Sequence, residues 1–145
     1  MADLTLHREF PVSTDVLFAH ISDSALLIQW FGPEGIDLTE AKMDFTRTGP
    51  WFAIMHGRES GNRFKVSGQV THVKPPTSVG LTWAWHDEAD KRGPESHVTF
   101  TVAPTLGGAK LTIAHVDLAD AEMVTSHNQG WNSTLNKLES FLSPK

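Results

Sequence analysis

Apolar positions along this chain change their spacing three times, and each change marks a change of element. Leu4 and Leu6 alternate with polar neighbours as far as Phe10-Pro11, which predicts a first strand closed by a proline that has no N–H for a sheet. Ser13 or Thr14 can then cap a short helix carrying Val16, Leu17, His20 and Ile21 on one side, and Asp23 can cap a second through Ala25, Leu26 and Leu27. The pair ends at Gln29-Trp30-Phe31-Gly32-Pro33-Glu34-Gly35, where Pro33 and Gly35 suit positions two and four of a type I turn.

From Ile36 to Val116 the period is predominantly two. Trp51/Ala53/Met55, Phe64/Val66/Gly68/Val70, Val79/Leu81/Trp83/Trp85, Val98/Phe100/Val102 and Leu111/Ile113/His115 each predict one face of a strand. Gly57 to Asn62, Pro75-Pro76-Thr77, Asp87 to Pro94 and Gly107-Gly108 are connections of hairpin length, so the strands form an antiparallel meander. After Asp117 the period becomes 3.6, with Met123, His127, Trp131, Leu135, Leu138 and Leu142 recurring every three or four residues. That pattern predicts one long amphipathic helix from about Asp120 to Leu142, capped by Asp120, stopped by Ser143-Pro144 and roughly 30 Å long. Its apolar face needs a partner, and the curved meander is the large surface on offer. The expected class is α+β: one domain over residues 1–145, with an antiparallel sheet wrapped around a C-terminal helix.

Composition narrows the chemistry. The 145 residues suffice for one core, and 39% apolar with 20% charged residues is an ordinary globular balance. There is no cysteine, which excludes disulfides, thiolate catalysis, Fe–S clusters and cysteine-based zinc sites and fits a reducing compartment. Met1-Ala2-Asp3-Leu4-Thr5 lacks the basic start and apolar core of a signal peptide, and no apolar run approaches the roughly 18 residues of a membrane span, so a cytoplasmic protein with no membrane partner is expected. The net charge of -5, with 12 scattered basic residues, argues against nucleic acid.

Five tryptophans, Trp30, Trp51, Trp83, Trp85 and Trp131, are the most conspicuous side chains. Indoles seldom bury completely and often line cavities, although plain core packing is the commoner fate of any one of them. Four fall on the predicted concave face or on the helix that grips it, with Trp30 at the rim, and as a set they point to a cavity that also includes Met55. His115 shares its strand face with Leu111 and Ile113; it reads either as a ligand partner or acid/base group, or as a core histidine satisfied by protein or water. His127, one turn before Trp131, is a similar candidate.

Other patterns carry less. The eight histidines form no HxH, HxxxH or HExxH spacing, so no metal is expected, nor any cofactor. Asp87, Glu88 and Asp90 read as a solvated hairpin loop. Gly57-Arg58-Glu59-Ser60-Gly61 has the wrong spacing for a nucleophile elbow, Gly107-Gly108-Ala109-Lys110 is a turn rather than a P-loop, and Asn132-Ser133-Thr134 is a sequon inside the last helix. The absence of tyrosine removes the phenol as an acid.

An ordered series of short motifs spans residues 8–138: Arg8-Glu9-Phe10, Trp30-Phe31-Gly32-Pro33-Glu34-Gly35, Met43-Asp44, Met55-His56-Gly57, Ser67-Gly68, Pro75-Pro76, Leu81-Thr82-Trp83, Pro94-Glu95-Ser96, and Gly130-Trp131 with Leu135 and Leu138. This series resembles the Hsp90-ATPase-activator-homologue family of small, mostly bacterial domains, within the START-like (SRPBCC) helix-grip superfamily. Relatives often carry paired glycines before position 51, where this chain has Thr48-Gly49-Pro50, and Ala-Trp where it has His20-Ile21. Those departures would reshape a cavity wall, so a ligand cannot be copied from a relative.

The resemblance implies a helix-grip fold with an interior cavity for a small hydrophobic ligand, and the patterning above sets Trp30, Trp51, Met55, Trp83, Trp85, His115, His127 and Trp131 around it. Two alternatives stand beside a binding module. One is an enzyme on the same cavity, cyclase- or hydrolase-like, with His115 as its titrating group. The other is a chaperone-associated protein; Hsp90 itself is not the expected partner, because the co-chaperone that names the family resembles this chain only in its C-terminal domain. A homodimer is compatible with the sequence.

Overall fold

Local signals set the helix ends in the computed structural model, which describes residues 2–142. The first strand, β1 (Ala2–Phe10), leads into α1 (Thr14–Ser22), whose N-cap is Ser13: its Oγ accepts from the Val16 N–H at 3.2 Å. Asp23 ends α1 by giving its N–H to Ala19 O, and starts α2 (Ser24–Trp30) by accepting from the Ala25 and Leu26 N–H groups. One short acidic residue thus serves two helix ends, each of which would otherwise leave backbone groups unpaired.

The sheet follows as β2 (Ile36–Lys42), β3 (Gly49–Gly57), β4 (Arg63–Lys74), β5 (Ser78–Trp85), β6 (Ser96–Thr105) and β7 (Gly108–Leu118). Its order is β1-β7-β6-β5-β4-β3-β2, antiparallel throughout, so α1 and α2 carry the chain from one edge to the other. The last helix, α3 (Ala121–Leu142), starts where Asp120 Oδ1 accepts from the Met123 N–H at 2.9 Å. The expected Ser143-Pro144 stop lies outside the described residues. Among the described residues no helix is long and apolar enough to cross a membrane.

Alternation puts Trp51, Ala53, Met55, Val66, Val70, Val79, Leu81, Trp83, Val98, Phe100, Leu111 and Ile113 on the buried face, where α3 adds Trp131, Leu135 and Leu138. Two polar links, joined through Asn136, hold the helix. Arg8 on β1 reaches Asn136 at 2.7 Å, and the Glu34 N–H donates to Ser133 Oγ at 2.8 Å.

Two expectations need correction. The turn after α2 spans Pro33 to Ile36, closed by the Ile36 N–H on Pro33 O, with Gly35 third at φ +80°. Glycine is suited there because a left-handed φ at the third position is strained for other residues, so the turn sits one residue later than Pro33 and Gly35 suggested. The second is β2, absent from the runs singled out by alternation. A register shift between Leu38 and Glu40 interrupts the period-two pattern on this edge strand.

Gly68 shows how tightly the sheet is fitted under its aromatics. It pairs with Trp51, whose indole N–H crosses to Thr82 O at 3.2 Å, and a Cβ on Gly68 would stand 2.0 Å from that same oxygen. Backbone on a neighbouring strand cannot swing aside. Gly68→Ala is therefore expected to destabilise by about 2 kcal/mol or more, at or beyond the usual cost of overpacking. Urea denaturation of the two proteins measures this, and matching midpoints would contradict the fit.

Candidate functional site

Trp83, in the middle of β5, is the hub of the interior. Its ring centroid lies 5.2 Å from Trp131, 5.4 Å from His115, 5.5 Å from Trp51, 5.6 Å from Trp85 and 6.0 Å from Phe31. Most of these rings meet tilted or edge-on, the arrangements that aromatic quadrupoles favour. Under α3 the aromatics fill the centre of the grip, so the apolar space beside them lies to one side and opens to solvent.

That space is a pocket of about 640 Å³. Its sheet wall is Met55 on β3, Phe64 on β4 and Trp83 and Trp85 on β5; its roof is the α3 face of Met123, His127, Gly130, Trp131 and Thr134. The segment from Phe31 to Ile36 closes one end. Gly32 lets that segment come close: its φ is +94°, and a Cβ there would stand 3.3 Å from Met55 Sδ. Phe64, 42% exposed, forms the outer lip.

Both interior histidines are fixed by indole donors. An indole N–H can only donate. Trp131 Nε1 donates to His115 Nδ1 at 3.1 Å, so the ring proton sits on Nε2 and donates to Ser96 Oγ at 2.7 Å, while Ser96 donates onward to Trp83 O at 3.3 Å. Trp85 Nε1 donates to His127 Nε2 at 3.0 Å, which leaves the His127 proton on Nδ1 for Met123 O at 2.8 Å. The two rings stand edge to face, 4.7 Å apart. Burial drives His115 down to about 3, helped by the neighbouring His127 and His97, and burial also lowers His127 against the opposing hydrogen bond to Met123. Both rings are neutral at physiological pH.

Of the eight residues expected at the site, Met55, Trp83, Trp85, His127 and Trp131 line this pocket. Trp51 and His115 do not; both pack against Trp83, and His115 is completely buried with both nitrogens bonded to protein. Trp30 is not a rim residue either: it is completely buried, and its N–H bonds His20 O at 2.9 Å, tying α2 to α1. Its neighbour Phe31 lines the pocket instead. Sequence reasoning singled out Trp30 for its size, whereas consecutive residues at a helix end point in different directions.

Phe64, Met123 and Gly130 were also not singled out as site residues. Phe64 lay on a predicted inner face and Met123 in the helical repeat, so the signal was present for both. Trp83 carries one more distinction: its Nε1 is the one buried side-chain polar atom among the described residues without a hydrogen-bond partner. The other four indoles all donate to protein. Among the described residues no group of three or more metal-ligating side chains converges.

Comparison with known proteins places this geometry. The family model described as Activator of Hsp90 ATPase homolog 1-like protein matches residues 11–143. An AHSA1 protein from Silicibacter pomeroyi is 55% identical over 97% of each chain, with a TM-score of 0.93. Proteins of known structure from Chromobacterium violaceum (22% identical, covering 100% of both chains, TM-score 0.86) and Mycobacterium smegmatis (22% identical, covering 99% of this chain and 91% of that one, TM-score 0.82) share the fold. No curated protein matches the chain.

Proposed function

This chain belongs to the Activator of Hsp90 ATPase homolog 1-like family, and from that premise we propose that it binds a small apolar or aromatic compound in the pocket beneath α3. The observation that carries the reading is the pocket itself: about 640 Å³, within the roughly 300–1,000 Å³ of small-molecule sites, and walled by Trp83, Trp85, Trp131, Phe31, Phe64 and Met55. Binding is favoured over catalysis in this space because the imidazoles of His115 and His127 are both spent on protein partners. An acid or base must reach the reacting atom, and neither ring has a nitrogen left for it.

Native mass spectrometry of freshly purified protein, with extraction of whatever is bound, tests the proposal. The expected result is a stoichiometric apolar compound, or saturable quenching of tryptophan emission by a panel of aromatic and aliphatic probes. Apo protein that no probe saturates would remove the proposal. A co-purifying Hsp90 would instead favour the partner that the family's name suggests.

Gly130→Leu gives a sharper check. Gly130 lines the pocket on α3, and a Cβ there meets only Pro33 Cγ, at 3.9 Å. A leucine would fill the space between helix and turn, while relieving glycine's helix penalty of about 1 kcal/mol. Probe binding should weaken by about tenfold or more, the equivalent of ~1.4 kcal/mol, with no fall in thermal midpoint. Unchanged affinity would place the ligand elsewhere.

A further inference from the structure

On the opposite face of the sheet from the pocket, three residues that sequence analysis left unconnected form a directed hydrogen-bond chain. Ser67 lies between the inward-facing Val66 and Gly68 of β4, so alternation sends its side chain outward. His86 follows the inward-facing Trp85 at the end of β5, and its Nε2 is 2.6 Å from Ser67 Oγ. His86 Nδ1 is 2.9 Å from Asp90 Oδ1 and 3.2 Å from Asp90 O.

The directions follow from what each group can do. A carboxylate and a carbonyl only accept, so Nδ1 carries the proton and the Nε2 lone pair receives the Ser67 hydroxyl proton. The loop that presents Asp90 is held by its own bonds: Asp87 Oδ1 accepts from the Ala89 and Lys91 N–H groups, His86 bridges to Arg92, and Asp90 takes a left-handed φ of 62°. The Lys65 ammonium, hydrogen-bonded to Asp90, holds that carboxyl below the usual carboxylate range, so it stays ionised.

A cation completes the group. Arg92 Nε donates to Ser67 Oγ at 3.0 Å, and its Nη2 to Ser67 O at 3.0 Å. Ser67 is only half-buried, and Phe52 stands directly opposite it on β3, on the same face and also half-buried. Nucleophile, base and orienting carboxylate are therefore together, with a guanidinium hydrogen-bonded to the nucleophile and an aromatic ring beside them whose face carries the Lys65 ammonium, 5.6 Å from the centroid.

We infer that Ser67 is an activated nucleophile that accepts the acyl group of small carboxylic esters, with His86 as general base and Asp90 as a positioning residue. As Ser67 Oγ bonds to the carbonyl carbon, its proton passes to His86 Nε2. When the tetrahedral intermediate collapses, the ester C–O bond breaks and His86 returns the proton to the departing alcohol. Water, deprotonated by the same imidazole, then attacks the acyl carbon and releases a carboxylic acid and free Ser67. The Arg92 guanidinium, hydrogen-bonded to Ser67 Oγ and Ser67 O, is the cation nearest the negative charge that develops around the acyl carbon.

The test uses a small fluorophosphonate, whose phosphorus captures the serine oxygen while fluoride leaves. Intact mass should rise by one phosphonyl group, and peptide mapping of the parent protein should place it on Ser67. Ser67→Ala should abolish the adduct, and His86→Gln should slow it by ~10²-fold, the low end of a general base's contribution. p-Nitrophenyl acetate should compete with labelling. An unlabelled parent, an adduct on another residue, or a Ser67 adduct that forms as fast in His86→Gln would each overturn the assignment. The mapping on parent protein needs no variant, so a variant that fails to fold leaves the test intact.

Discussion

Truncating Trp131 to alanine is expected to cost ~3–5 kcal/mol, the range for large aromatics removed from cores. Trp131 is 4% exposed and is the point where α3 locks onto the sheet, with ring contacts to Trp83, Phe31, Phe100 and His115. Two separate losses add. Truncation leaves a cavity walled by the rings of Trp83 on β5 and Phe100 on β6, and His115 Nδ1 loses its donor inside the core. The second loss can be isolated: Trp131→Phe keeps an aromatic ring but not the N–H, and leaving a buried acceptor unpaired costs ~1–3 kcal/mol. Urea denaturation should therefore rank the parent above Trp131→Phe, and Trp131→Phe above Trp131→Ala. A Trp131→Ala midpoint equal to the parent's would mean that α3 is held by other residues.

What the sequence made legible was what is local or periodic. Ser13, Asp23 and Asp120 could be read as caps because a cap needs only its own next three residues, and the β3 to β7 faces could be read because the apolar run in each alternates without a break, the register shift in β4 falling beyond Val70. Depth was not legible. Alternation says that Trp51 and His115 face inward, but which inward residues are covered by other aromatics and which border open space depends on how Phe31, Trp83 and Trp131 interleave. These come from a helix end, a strand and a second helix.

The same reason hid the outward cluster. Ser67 and His86 meet only through the β4–β5 register, and Asp90 joins them only through a left-handed residue in a loop that composition marks as solvated. The resemblance carried the fold further than periodicity could, while leaving the placement of individual site residues to the geometry.

Lowering the pH should unfold this protein through its buried histidines before its carboxylates matter. Above pH 6.5, the ordinary value, His115 is neutral both folded and unfolded, and its contribution is fully present. Below that, the unfolded chain takes up a proton that the folded ring refuses until about pH 3, so stability falls as pH falls through this window. At ~1.4 kcal/mol per pH unit for one proton, His115 alone accounts for a loss on the order of 4–5 kcal/mol across it. His127 acts in the same direction. With ring centroids 4.7 Å apart, a proton on either ring would repel one on the other, so the folded state has no easy route to accepting both. Urea unfolding measured between pH 7 and pH 5 should show a free energy that drops by about 1.4–2.7 kcal/mol per unit in the lower part of that range, corresponding to between one and two protons. His115→Gln should shed about one proton of that slope whatever it does to absolute stability, since the amide does not titrate. A parent whose stability is flat between pH 7 and pH 5 would mean that the interior admits a charged imidazole, and the indole-donor network around His115 and His127 would have to be redrawn.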